Sequence, residues 1–216
     1  MNGKQMNVSL ADRVFERLER DIISGVYKKG EVLTELRLVE ELGVSRTPIR
    51  EALRRLSMER LIRESSRGSV VLGITKRDLE DILNMRVRIE GLVAYYAAQN
   101  RTEEQLEEMR HTLELQEFYV SRRDTQRVVE MDTAFHEMIY TMSQHQMLHD
   151  ALRPMLRKIM KFRRESMDIL SHAERSVNEH RALYEAIAAG ERDRTESLMT
   201  HHVDNARQSS LDACHE

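Results

Sequence analysis

Most of this chain repeats apolar residues at the spacing of α-helices. Beyond Thr75 no segment alternates apolar and polar residues as a strand does, whereas six segments place apolar residues three or four positions apart. Consecutive amphipathic helices bury their apolar stripes against one another, so the pattern predicts an antiparallel all-helical bundle. Gly190 is positioned to end one helix, and the spacing of Asp193 and Glu196 predicts a capping box that opens the last. The predicted helices span Asp78–Gln99, Glu103–Ser121, Thr125–Met142, Met147–Ile169, Ala173–Ala189 and Asp193–Ser210.

The chain before Thr75 contains shorter helical segments. One apolar stripe runs along Leu10–Ser24 and ends at Gly25, and Thr34 can cap a second helix. The residues of that second helix predicted to face inward are Leu38, Val39 and Leu42.

A tight turn follows the second helix. Gly43 can adopt the positive φ that ends a helix, Ser45 can cap the next one, and Pro48 is tolerated because first-turn amides have no intrahelical partner. Two short helices joined this closely form a helix-turn-helix.

The third helix separates its side chains by chemistry. Ile49, Ala52, Leu53 and Leu56 fall on one arc, and Arg46, Arg50 and Arg54 follow one another along a different arc. An arginine guanidinium can bond guanine or phosphate through two donors. On an arbitrary helix such an arc would be an ordinary solvated surface, but its position on the second helix of a helix-turn-helix favours a DNA-binding face.

A basic hairpin is predicted after the third helix. Leu61–Arg63 and Ser69–Leu72 have the composition of short strands, and Ser65–Gly68 forms the turn between them. Gly68 permits positive φ or a close backbone approach. Arg67 at the tip is either a minor-groove contact or a solvent-facing loop residue. Together these elements predict a winged helix-turn-helix.

Composition supports two domains, a DNA-binding domain at 1–77 and a helical domain at 78–216. Residues 1–77 contain 16 basic and 11 acidic residues, although the whole chain carries a net charge of −3. The first part therefore suits a polyanionic partner better than the second. Cys214 is the only cysteine, which excludes an intrachain disulfide and a cysteine-rich zinc site. No apolar run spans a membrane and no secretory signal is evident, so we expect a cytoplasmic protein that does not contact a membrane.

Four polar residues in the second part lie on apolar helical stripes. Asp132 and His136 share one stripe, and His180 and His202 lie on two others, whereas His201 points away from its stripe. Burial of three imidazoles and a carboxylate without partners would be costly. A single inward histidine is usually a hydrogen-bonded core residue, but four aligned candidates predict a divalent metal. Zinc, nickel, iron and manganese all suit these ligands.

From Leu10 through Leu72 the chain resembles the GntR family of bacterial regulators, most clearly in Gly43–Leu53 and Ser24–Gly30. The resemblance implies that Arg46 and Arg50 contact DNA, that Ser45, Thr47 and Pro48 set the start of the helix, and that Gly68 lies in the wing. Many members carry an arginine where this chain has Leu36, and the neighbouring Arg37 would project differently from a helix.

The region from Asp78 to Arg207 resembles the FCD effector domain of one GntR subfamily. The similar stretches are Met85–Glu90, Asp132–His136, Glu179–His180 and Met199–His202. They imply a metal bound by Asp132, His136, His180 and His202, with an organic acid at its open positions. Arg86 would either neutralise the carboxylate of that effector or pair with Glu90 along its own helix.

These observations favour a ligand-responsive, sequence-specific transcription regulator that controls metabolism of a small organic or sugar acid. Symmetric half-sites imply a homodimer on double-stranded operator DNA. The alternative is a metal-dependent helical-bundle enzyme fused to a DNA-binding module. The sequence offers no general base distinct from the metal ligands and no second set of bundle carboxylates, so we do not expect an enzyme. A third candidate, an architectural DNA protein without an effector, does not explain the inward histidines.

Overall fold

The computed structural model describes residues 9–213, with the side chains of 212 and 213 excepted, and Cys214 therefore lies outside the described residues. The chain divides into two compact units between Thr75 and Lys76. Along the described residues, no helix combines the length and apolar character needed to cross a membrane.

The first unit begins with three helices. They are α1 (Leu10–Ile23), α2 (Glu35–Leu42) and α3 (Arg46–Met58). Gly43 ends α2 in the left-handed region at φ 67°, and only two residues separate it from the start of α3. This is the predicted helix-turn-helix. The side chain of Thr34 accepts a hydrogen bond from the Arg37 amide, as a cap of α2 should.

The wing has one strand more than the sequence predicts. Strands β2 (Ile62–Ser65) and β3 (Gly68–Val71) form the predicted hairpin, and β1 (Val32–Leu33) pairs antiparallel with the other side of β3. Two residues are too few to show an alternating pattern, so β1 has no sequence signal. Ser65 pairs with Gly68, which shortens the predicted four-residue turn to two residues.

The core of the first unit is apolar and draws on every helix. Leu18 of α1, Leu38 of α2 and Ile49 of α3 are fully buried, together with Leu61 and Ile62 at the start of the hairpin. Val39 and Leu42, both predicted to face inward, are partly buried against the same cluster. This packing fixes α3 against α1 and leaves its other face in solvent.

The second unit contains the six predicted helices within its described part. They are α4 (Lys76–Asn100), α5 (Glu103–Arg122), α6 (Thr125–Ser143), α7 (Gln146–Met167), α8 (Leu170–Ala189) and α9 (Arg192–Ala213). The most extensive packing is between α4 and α9. At Gly91 the two helices approach so closely that a Cβ atom would lie 3.1 Å from the Glu196 carbonyl oxygen.

The sequence predicts the end of α8 correctly but not the start of α9. Gly190 ends α8 in the left-handed region, as expected. The predicted capping box at Asp193 and Glu196 is wrong, because α9 begins at Arg192 and Asp193 already lies in its first turn. The spacing of two acidic residues resembles a box, but the true start comes directly after the Gly190 turn.

Candidate functional site

The exposed face of α3 carries the three arginines predicted to meet DNA. Arg46, Arg50 and Arg54 are exposed, whereas Pro48 and Ile49 pack into the core. Ser45 occupies the position before the helix but makes no capping hydrogen bond through its side chain, which differs from the sequence prediction. Its hydroxyl and that of Thr47 belong to exposed residues beside Arg46. The arrangement presents a basic, hydrogen-bonding surface at the start of the second helix of the motif.

Arg50 has an anionic neighbour that the sequence did not indicate. Its Nε atom donates to both carboxylate oxygens of Glu35, at 2.8 and 2.9 Å. The hydrogen bond from Arg50 is the main reason that the pKa of Glu35 is lowered. This contact joins α2 to α3.

The wing places Arg67 in its two-residue turn, where the side chain is exposed. Gly68 has φ +132°, and a Cβ atom there would lie 2.7 Å from the backbone oxygen of Leu33. Only glycine therefore allows β1 to approach the hairpin this closely. From the sequence, Gly68 was expected to allow either a positive φ or a close backbone approach, and both are present.

The departure from the family pattern concerns Leu36 and Arg37. The side chain of Leu36 is 58% exposed. Arg37 pairs with Glu31 at 2.7 Å and with Glu41 at 2.5 Å, so its guanidinium is engaged within its own unit.

Three buried imidazoles converge in the second unit. His136 of α6, His180 of α8 and His202 of α9 are each at most 3% exposed. The Nε2 atom of His202 lies 3.2 Å from Nε2 of His136 and 3.3 Å from Nε2 of His180. One nitrogen from each of the three rings lies within 4.8 Å of the other two. His201, adjacent in sequence, is exposed.

Each imidazole turns its other nitrogen toward an acceptor. Nδ1 of His180 lies 2.8 Å from Oε1 of Gln116, and Nδ1 of His202 lies 2.7 Å from Oε2 of Glu179. Nδ1 of His136 lies 3.3 Å from Oε2 of Glu90. The Gln116 and Glu179 contacts favour a proton on Nδ1 of His180 and His202 and a lone pair on Nε2. Oε2 of Glu90 makes no aligned hydrogen bond among the described residues.

Burial keeps two of these rings neutral. It lowers the pKa of His136 to about 4, although the Glu90 carboxylate opposes the shift. Burial also lowers the pKa of His180 well below its ordinary value, and the neighbouring histidines add to that effect. At neutral pH the His136 and His180 rings therefore carry no charge, and the Gln116 contact leaves Nε2 of His180 unprotonated.

Asp132 lies beside the three histidines and is also paired with an arginine. Its Oδ1 atom is 3.6 Å from Nε2 of His180, and its Oδ2 atom is 2.7 Å from Nε of Arg163. Oδ2 nevertheless lacks an aligned hydrogen bond among the described residues. The carboxylate is fully buried beside His180, but it lies outside the group of mutually close nitrogens that the three histidines form.

A pocket lined by α7, α8 and α9 adjoins this cluster. Arg86 and Asp132 border it from α4 and α6, and Arg175 contributes a further basic group. Its buried hydroxyl groups belong to Ser166, Ser176, Ser209 and Ser210. The lining therefore combines cationic and hydroxyl donors around His202.

Arg86 takes part in the helix pair and also borders the pocket. Its Nε atom donates to Glu90 at 2.5 Å, and the two side chains are 2% and 0% exposed. No described residue accepts a hydrogen bond from its Nη2 atom. The two roles considered from the sequence are thus geometrically compatible.

Sequence reasoning missed the residues that contact the outer nitrogens of the imidazoles. Gln116 is fully buried and lies on the apolar stripe of α5 with Met109, Leu113 and Val120. A polar residue on such a stripe is the same signal that identified the histidines, and it would have identified Gln116. Arg163 gave no comparable signal, because its role depends on the packing of α7 against the other helices.

Comparisons with known proteins agree with this architecture. Residues 10–72 match the gntR family of bacterial regulatory proteins, and residues 81–205 match the FCD domain. The gluconate operon transcriptional repressor of Bacillus licheniformis is 30% identical over 186 residues, covering 84% of this chain and 76% of that protein. The HTH-type transcriptional repressor RspR of Escherichia coli K12 is 27% identical over 198 residues, covering 91% and 87%.

The fold is shared with a solved structure of E. coli McbR/YncC. The TM-score is 0.72 at 24% sequence identity, and the match covers 91% of this chain and 94% of that one. The family models and relatives confirm the resemblance drawn from the sequence and do not support the enzyme alternative. The chain belongs to the GntR family of bacterial regulatory proteins, with an FCD domain as its second half, and is a DNA-binding, ligand-responsive transcription regulator.

Proposed function

We propose that this regulator binds operator DNA as a cytoplasmic homodimer and senses a small carboxylic acid at a metal centre in its helical unit. The observation that carries the proposal is the convergence of three buried Nε2 atoms beside a pocket with basic and hydroxyl groups. Relatives named as repressors, one of them of a gluconate operon, favour repression and an organic or sugar acid as the effector.

The histidine cluster fits a divalent cation. The Nε2 separations of 3.2 and 3.3 Å match the roughly 3.3 Å expected between two nitrogens bonded at about 2.0–2.1 Å to a tetrahedral ion. Lone pairs facing each other at this distance repel, and a cation between them would remove that repulsion. Burial lowers the pKa of His136 and of His180, which disfavours an added proton on either ring. His136, His180 and His202 would bind the ion, with Asp132 as fourth ligand. Zinc, nickel, iron and manganese all remain compatible with this donor set.

When bound, an ion that takes five or six ligands would supply positive charge and would leave open positions, beyond the four protein ligands, for a carboxylate oxygen. Arg86 lines the same pocket and has an Nη2 atom without a hydrogen-bond partner among the described residues, and Arg175 is a second cation in the lining. The serine hydroxyls can bond the hydroxyl groups of a hydroxy acid or sugar acid. Gln116, Glu179 and Glu90 fix the orientation of the three rings.

The DNA contacts proposed for the first unit are Arg46, Arg50 and Arg54 on α3 and Arg67 in the wing. Ser45, Thr47 and Pro48 shape the start of α3, and Gly68 positions the wing. Two copies are required because a palindromic operator is contacted by two symmetry-related recognition helices.

The test uses the full chain purified without chelators or an affinity tag. Elemental analysis measures the bound metal, and calorimetry with a panel of hydroxy and sugar acids measures effector binding before and after chelation. We expect His180→Ala and His202→Ala to lose metal and acid response while they retain DNA binding. His201→Ala is the matched control, since this neighbouring histidine is exposed, and it should behave as the wild type. A metal-free wild type whose DNA binding still responds to the acid would refute the metal centre.

A further inference from the structure

We propose that Glu35 is a positioning residue for Arg50, which it orients for contact with a base. The inference rests on the proposed operator contact of Arg50. The two residues lie on different helices, 15 positions apart, and both oxygens of the Glu35 carboxylate contact Nε of Arg50. The contact therefore links the first helix of the helix-turn-helix to the face of the second that meets DNA.

This geometry leaves the outer donors of the guanidinium free. A guanidinium has one Nε–H and two terminal NH₂ groups, and Glu35 takes the Nε–H. Among the described residues, neither terminal nitrogen of Arg50 makes a hydrogen bond, and its side chain is 64% exposed. Contact with O6 and N7 of guanine requires two donors in one plane, which the terminal nitrogens provide.

Glu35 is itself fixed by the start of α2. It is the first residue of that helix, directly after the capping Thr34, where the positive end of the helix dipole stabilises an anionic side chain. The carboxylate therefore belongs to a rigid part of the unit. An arginine on its own would have several rotatable bonds to order when it binds DNA.

The position of this pair argues against a role in stability alone. Both side chains are substantially exposed, and exposed ion pairs contribute little to folding. A carboxylate near DNA also repels phosphate and lowers affinity for every sequence. We therefore expect Glu35 to increase specificity, because an Arg50 side chain paired with Glu35 is less available to the phosphates of a non-operator sequence.

The experiment measures discrimination by the full chain. A duplex enriched by the wild-type protein from a randomised pool serves as probe, with its single-base variants and a scrambled duplex at the same salt concentration. Arg50→Ala should remove discrimination at one base position of each half-site. Glu35→Gln should reduce discrimination at that same position about tenfold, as expected for a poorly oriented bidentate contact, without weakening the scrambled duplex. Glu40→Gln removes the same charge from an exposed site on α2 and should leave discrimination unchanged.

The double variant separates positioning from a general effect. Glu35→Gln combined with Arg50→Ala should discriminate no less than Arg50→Ala alone, because Glu35 acts through Arg50. Additive losses, or an equal loss on every duplex by a folded Glu35→Gln protein, would overturn the inference while the operator contact of Arg50 stands. Full discrimination by Arg50→Ala would overturn both.

Discussion

The buried ion pair of α4 allows a quantitative test of how the site is built. Glu90→Gln keeps the shape of the side chain but leaves the Arg86 guanidinium buried without its counter-charge. Neutralising one partner of a buried pair costs about 3–5 kcal/mol, because the remaining charge has lost both water and its partner. We therefore expect the free energy of unfolding to fall by about 3–5 kcal/mol, a large part of the about 5–15 kcal/mol typical of a domain.

Two further variants isolate the charge. Arg86→Met added to Glu90→Gln should restore most of the loss, because no unpaired charge remains. Glu130→Gln neutralises an exposed partner of Arg127 and should change stability little. Urea unfolding of the chelated proteins, followed by circular dichroism, gives the comparison. If Glu90→Gln and Glu130→Gln had equal effects, the argument from a buried, unpaired guanidinium would be wrong.

The Arg86–Glu90 pair also makes the free energy of unfolding depend on pH. Burial alone would raise the pKa of Glu90, but the Arg86 guanidinium and the contact with His136 outweigh it and lower the pKa below the ordinary 4.5. As the pH falls through 4.5, Glu90 becomes protonated in the unfolded chain but stays ionised in the folded chain. Protonation therefore favours unfolding, and stability is lost. The contribution is fully present above that pH. The difference between wild type and Glu90→Gln should therefore shrink as the pH falls below 4.5.

Four other predictions concern DNA, the wing, the imidazoles and assembly. Arg46→Ala and Arg50→Ala should each lose about 1–3 kcal/mol of discrimination between operator and scrambled duplex, and Arg67→Ala should lose less, in anisotropy titrations at fixed salt. Gly68→Ala should destabilise the first unit by about 1–3 kcal/mol in thermal melts, because φ is +132° and the added methyl meets Leu33. Gln116→Ala should weaken metal binding about 10–100-fold in competition with a chelating dye. The fragment 78–216 should still dimerise in sedimentation, since a small winged helix has little apolar surface to spare; a monomeric fragment would place the interface elsewhere.

The fold was predictable where local patterns determine it. The bundle helices follow from apolar spacing, and the turn after α2 follows from Gly43 and Pro48, since both signals act over a few residues. The side chains of Asp132, His136, His180 and His202 are buried as their stripes predict. Strand β1 was not predicted because two residues carry no periodicity. The capping box at Asp193 was predicted wrongly because the spacing of two acidic residues contains no information on where the preceding turn ends.

The partners of the site residues were not predictable, because they depend on which helices become neighbours. Gln116 and His180 are 64 positions apart and meet only when α5 packs on α8, and the same holds for Arg163 and Asp132 across α7 and α6. Helical spacing says which face of a helix is buried but not which helix covers it. A buried polar residue on a stripe therefore predicts that a partner exists, since an unpaired polar group would be costly, and leaves the identity of that partner to the packing. Glu35 shows the limit of this argument, because an exposed carboxylate needs no partner and its contact with Arg50 had no sequence signal at all.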